Sequence, residues 1–277
     1  MFAGQNKHWG TIEEATEFWL GFGIDNIMVK RDDYMKLIDK NGNAVKGEFK
    51  KLGRLQKEYN VKYNVHPFEM SVNDVFLSAS IKESHKILKR FLTDLDDKIQ
   101  KYDLYPLITL HFGEIVSHKY NINLDEKTAL DNAVEFFQGL NLKSKLAVET
   151  MHHPSRKPKH TLLGYKADHF LKIAGNGYGI CVDTGHMNMA EDKSLESFLS
   201  LPLPIYIVHL DGNDGTKDAH KIPTKYNVGN FGDVVRVLKK CEEANGIITF
   251  EITNYDYSAN EVKECVDFWK NVLEQSS

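Results

Sequence analysis

Residues 179–186 read GICVDTGH. Residues 179–182 are small or apolar, as an interior strand requires, and the run stops on Asp183, with His186 three positions on. Working outward, five more short, largely apolar runs stop on a metal-type ligand: 61–65 at His66, 107–110 at His111, 146–148 at Glu149, 205–208 at His209 and 247–250 at Glu251. Interior strands do not end this way repeatedly by chance. In a parallel barrel the strand C-termini converge on one face, where active sites are built. The pattern therefore places six ligand-type groups around one bowl.

The segments between these runs have helical character, and alternating strands and helices predict a parallel α/β sheet. Residues 1–5 and 26–29 supply two earlier strands, making eight. Thr11 with Glu14, and Ser258 with Glu261, have capping-box spacing and predict helices over 12–20 and 259–274. Further helices are expected at 48–59, within 71–102, and at 125–140, 163–174, 194–201 and 233–244, with a His-, Pro- and Lys-rich loop at 151–160. No linker or low-complexity tract divides the 277 residues, so the expectation is a single (β/α)8 TIM-barrel domain over 1–277. Its metal site should lie at the C-terminal face of the strands.

Composition narrows the function classes. The formal net charge is −4, which supplies no global basic field for nucleic acid. The three cysteines, Cys181, Cys241 and Cys265, have no CxxC spacing and read as thiols of a reducing compartment. Cys181, inside a strand run, reads as a buried small hydrophobe. The opening MFAGQNKHWG has no apolar signal-peptide core, and no apolar run reaches the ~20 residues of a membrane span. A cytoplasmic protein with no membrane role and no obligate protein partner is expected. No Walker-type loop or GxGxxG follows a strand, which argues against nucleotide cofactors.

Glu149, Asp183, His209 and Glu251 suit a divalent cation such as zinc or manganese. Single carboxylates often cap strand ends or pair with lysine. Several crowded together repel unless a cation lies between them. His66 and His111 could hold a second metal, with Glu149 bridging, or hydrogen-bond a substrate. His186 and the pair Asp218 and His220, in the triplet DAH, form either a third ligand set or a polar loop. His152 and His153 read as supporting or surface residues.

With these residues in view, the chain resembles the xylose isomerase-like TIM-barrel superfamily, which includes endonuclease IV. The resemblance runs from about His66 to Glu251 and is weak over the first two βα units. Endonuclease IV holds three zinc ions with nine ligands. The resemblance implies His66, His111 and Glu149 for the first ion, Glu149, Asp183, His209 and Glu251 for the second, and His186, Asp218 and His220 for the third. Departures accompany it. Asp218 follows His209 by only nine positions, a short form more like the sugar-phosphate isomerase/epimerase branch. VKRDDYMKL lacks the pattern of a DNA-penetrating loop, and the fourth strand ends HFG where HPG is usual.

Two chemistries follow from that resemblance. The first is endonuclease IV-like phosphodiester hydrolysis of abasic DNA. A metal-bridged hydroxide attacks phosphorus, Glu251 orients it, and up to three zinc ions neutralise the developing charge. This reading ranks first because it employs all nine residues. Lys30, Arg31, Arg156, Lys157 and Lys159 would contact phosphates or remain solvated charges. The alternative is isomerisation or epimerisation of a sugar or sugar phosphate with one manganese or cobalt ion. Glu149 and Glu251 move protons as an acid–base pair, and His186 binds a substrate oxygen. His8 and Trp9 would wall the sugar pocket or pack at the rim. A barrel that has lost activity is disfavoured by the intact ligand set.

Overall fold

The computed structural model describes residues 1–5, 10–30, 36–67, 70–73, 75–175, 177–190, 195–252 and 257–276. Eight strands form a closed barrel: β1 (Phe2–Gln5), β2 (Asn26–Lys30), β3 (Lys62–His66), β4 (Leu107–His111), β5 (Lys145–Glu149), β6 (Gly179–Asp183), β7 (Ile205–Leu210) and β8 (Ile247–Phe250). Every neighbouring pair is parallel, and β8 closes on β1. The helices α1 (Ile12–Leu20), α2 (Lys46–Tyr59), α3 (Lys82–Lys101), α4 (Glu126–Gln138), α5 (Ala167–Leu171), α6 (Thr184–Asn188), α7 (Glu196–Leu199), α8 (Phe231–Glu243) and α9 (Ala259–Ser276) surround it. This is the TIM barrel that the alternating pattern predicts.

Strand periodicity explains how the barrel can be apolar and yet end in charges. Successive side chains point to opposite faces. Ile27, Val29, Val65, Ile108, Val148, Ile180, Val182, Val208 and Phe250 belong to the large core, with the helix residues Phe49, Leu52, Phe91 and Trp269. The alternate positions Ala3, Leu107, Ala147, Cys181, Ile207 and Ile247 form a separate small cluster, which is the barrel interior. Two residues further along the same strands stand Gln5, Thr109, Glu149, Asp183, His209 and Thr249, all buried. The interior is thus apolar at its base and polar toward the strand C-termini.

Both expected capping boxes form. Thr11 Oγ1 accepts from Glu14 N while the Glu14 carboxylate accepts from Thr11 N, and Ser258 and Glu261 repeat the arrangement. The region 71–102 holds one helix, preceded by a small antiparallel pair, Ser71–Val72 with Val75–Phe76. The expected helix at 163–174 shrinks to α5: the chain is extended over His160–Leu162, and Gly164 has a φ of 99°, outside the helical region. There His160–Leu162 pairs with Glu114–Ser117, which also pairs with Ile122–Asn123. This three-stranded sheet, drawn from the loops after β4 and β5, supplies part of the wall over the barrel mouth. No helix among the described residues is long and apolar enough to cross a membrane.

Candidate metal centre

Each barrel strand from β2 to β7 delivers its last or penultimate residue to the bowl, and β8 delivers the residue just beyond it. Glu149, Asp183, His209 and Glu251 are buried, and their ligand-type atoms lie within 4.8 Å of one another. His209 Nδ1 stands 2.8 Å from Glu251 Oε2 and 3.2 Å from Glu149 Oε1. His66, His111 and Glu149 form an adjoining group of the same kind. There Glu149 Oε2 lies 3.0 Å from His66 Nε2 and 3.4 Å from His111 Nε2.

The donor set fits a divalent cation. Glu149 Oε2, Asp183 Oδ2 and Glu251 Oε2 are buried and accept no well-aligned hydrogen bond. Buried polar atoms are nearly always satisfied, so each such atom needs an explanation. A cation bound by three carboxylates and one imidazole supplies it. Burial works to raise the Glu149 carboxyl, but His209, His66 and His111 outweigh it and hold it well below the usual carboxylate range. Glu251 is likewise held low against its burial, by Lys30, His209 and His220. Both glutamates are anions in the metal-free chain.

Lys30 stands at the end of β2, in register with His66 on β3. It is not a solvated charge: it is 4% exposed, and its Nζ meets Glu251 Oε1. Burial lowers its pKa, yet Glu251 and Glu149 raise it above the ordinary value. Arg156 is exposed and donates from Nε to Met189 O at 3.1 Å, away from the bowl. Its neighbour Lys157 takes the expected place, donating to Asp218 Oδ2 at 2.9 Å. Lys159 is exposed. His8, Trp9 and Arg31 lie outside the described residues.

His186 and Asp183 are fixed by the start of α6. Asp183 Oδ1 caps the helix by accepting from His186 N at 2.7 Å, and His186 Nδ1 lies 2.9 Å from Thr150 O. His186 Nε2 is 3.5 Å from Asp218 Oδ2. Asp218 joins no group of three close ligands among the described residues, and His220 groups instead with Asp183 and Asp211. Asp211 escaped the sequence reading. It is 0% exposed, its Oδ1 accepts from Gly185 N at 2.9 Å, and its Oδ2 lies 3.1 Å from His220 Nδ1. The available signal was its spacing: two residues past His209, it keeps the strand's inward phase.

Glu149, His186, Asp218 and Glu251 line a cavity of about 160 Å³. Its wall includes Lys30, His111, Lys157 and His220, with Met151, His152, His160 and Leu162 from the loop after β5. His160 is held at 3.2 Å from the buried carboxylate of Glu114. Beneath the bowl the Cys181 thiol lies close to Glu149 and His209, and burial pushes its pKa up to about 12.

A family model described as the xylose isomerase-like TIM barrel matches residues 27–272. The chain belongs to this family. An uncharacterized protein, MJ1614 of Methanocaldococcus jannaschii, is 27% identical over 225 residues, which are 79% of this chain and 80% of that one. Among solved structures, D-psicose 3-epimerase from Clostridium cellulolyticum H10 superposes with a TM-score of 0.70 at 16% identity, covering 99% of both chains. The IolI protein, solved with a zinc atom, superposes with a TM-score of 0.67 at 15% identity over 99% of both. At such identities these likenesses establish the fold. Members of the xylose isomerase-like family are enzymes, and this chain carries the ligand groups for divalent-metal chemistry.

Proposed function

We propose that this family member is a divalent-metal-dependent isomerase or epimerase of a sugar or sugar phosphate. The observation that carries the reading is the pairing of two anionic, buried glutamates, Glu149 and Glu251, across one O,O,O,N donor set at the floor of a small cavity. Glu149, Asp183, His209 and Glu251 would hold a cation, which would polarise a carbonyl and its neighbouring hydroxyl and so acidify the hydrogen on the hydroxyl-bearing carbon. Glu149 and Glu251 serve as the two proton carriers, one on each face of the substrate carbon. His186, with Nδ1 committed to Thr150 O, presents Nε2 toward the cavity for a substrate oxygen.

The cavity supports a small substrate, being smaller than the ~300–1,000 Å³ usual for drug-sized ligands. Epimerase folds over the full chain length agree with the reading. Phosphodiester hydrolysis, ranked first from the sequence, draws on His66 and His111 as ligands of a further ion. In this structure both imidazoles lie against Glu149 Oε2, where they also serve to hold that carboxylate anionic.

The test is solvent exchange. With manganese or cobalt present, ketoses and their phosphates incubated in deuterium oxide should gain carbon-bound deuterium, read by mass spectrometry. E149Q and E251Q should each slow the exchange by about 100-fold or more. Cleavage of abasic DNA with no exchange into any sugar would reverse the ranking.

A further inference from the structure

We propose that Asp183, Asp211 and His220 form a second divalent-cation site that shares Asp183 with the first. Ligand-type atoms of the three lie within 4.8 Å of one another, and both aspartates are 0% exposed. Asp211 Oδ1 is occupied by Gly185 N, and Asp183 Oδ1 by His186 N. The remaining oxygens, Asp183 Oδ2 and Asp211 Oδ2, accept no well-aligned hydrogen bond, and His220 Nδ1 makes none. Yet His220 Nδ1 and Asp211 Oδ2 are only 3.1 Å apart. Two groups this close, yet out of line for a hydrogen bond, are spaced as two ligands of one ion would be. A separation of about 3 Å is what two ligands have when each sits about 2 Å from one ion.

Two further observations agree. His220 holds a backbone φ of 40°, a left-handed conformation costly for a residue with a Cβ, and such strain concentrates at functional positions. Asp218, the other carboxylate beside His220, already accepts from Lys157 at 2.9 Å. Two carboxylate oxygens and an imidazole suit manganese, magnesium or zinc, and leave positions open for water or a substrate oxygen.

The experiment is manganese titration of the full chain, with bound metal counted by elemental analysis and spin coupling read by electron paramagnetic resonance. Wild type should bind two ions per chain with a spin-coupled signal. D211N keeps an Oδ1 acceptor for Gly185 N. It should bind one ion, with the second site weakened by about 100-fold or more and the coupling gone. H220Q should do the same, and serves if D211N does not fold. One ion per chain in wild type overturns the proposal, as does a second ion that survives in D211N or H220Q. Sugar turnover with a single ion bound would leave the proposed function standing while removing this site.

Discussion

Lys30 shows how one residue can govern the centre. Its ammonium is buried against Glu251, and within a low-dielectric bowl such a pair is costly to break on one side only. Lys30→Met removes the cation from a cluster that already holds three carboxylates. The metal-free protein should lose about 3 kcal/mol of stability in chemical denaturation. Manganese should restore much of that loss, because the ion replaces the missing positive charge. The variant should also bind manganese more tightly than wild type, since no ammonium competes for Glu251. A variant equally stable with and without chelator would show that the pair does not balance the bowl. Lys30 also shows why a buried cation is hard to read from sequence. VKRDD has the look of a solvated loop, and only the register Lys30↔His66 reveals that its lysine is the inward end of a strand.

At the scale of elements, helices and strands are held by contacts that can be removed singly. Gly4 on β1 lies under Trp19 of α1, where an added Cβ would meet the indole ring at 2.1 Å. Gly4→Ala should cost about 1–3 kcal/mol in an unfolding titration, because indole and strand must part. A Trp19→Ala background should relieve the clash, and an equal cost in both backgrounds would refute that cause. Farther out, Glu126 at the start of α4 accepts from Lys166 and lies 3.2 Å from His169 of α5, tying the two helices. Burial raises its carboxyl, but Lys166, Tyr165 and His169 prevail and lower it from 4.5 to about 2. The unfolded chain therefore binds this proton more readily than the folded one. The stabilisation is whole above pH 4.5 and is lost as pH falls toward 2. Because the group is partly solvated, Glu126→Gln should cost about 1 kcal/mol or less at pH 7, with the gap to wild type closing in acid. The same elements mark what a sequence reveals. Strands β3 to β8 were legible because each couples an apolar run to a polar end. Both capping boxes were legible because their spacing is local. The sheet of Glu114–Ser117 and His160–Leu162 was not, since its partners are far apart in the chain and too short to show a period. Asp211 was hidden for a related reason: it continues a strand's inward phase into residues that read as a turn.

Across the whole molecule, the candidate ligands come from strands spread around the barrel, so an ion bound there ties together segments from Glu149 to Glu251 that are separate in the chain. The unfolded chain offers no such convergence. Binding is therefore linked to folding, and at a metal concentration a hundred times the dissociation constant the folded state gains about 2.7 kcal/mol. For a chain of this size, 1 kcal/mol moves the melting temperature by roughly 2–4 °C. Manganese, cobalt or zinc should therefore raise the melting temperature of chelator-treated protein by about 5–10 °C in scanning calorimetry. The rise should be reversed by chelator. Asp183→Asn should remove most of it, since Asp183 belongs to the four-ligand set with Glu149, His209 and Glu251 and also to the group with Asp211 and His220. Asp211→Asn should keep most of it, since the set of Glu149, Asp183, His209 and Glu251 is left whole. A melting temperature indifferent to all three metals would mean that the crowded carboxylates are balanced by Lys30 and the histidines alone, and the metal-dependent chemistry proposed for this bowl would fall with it.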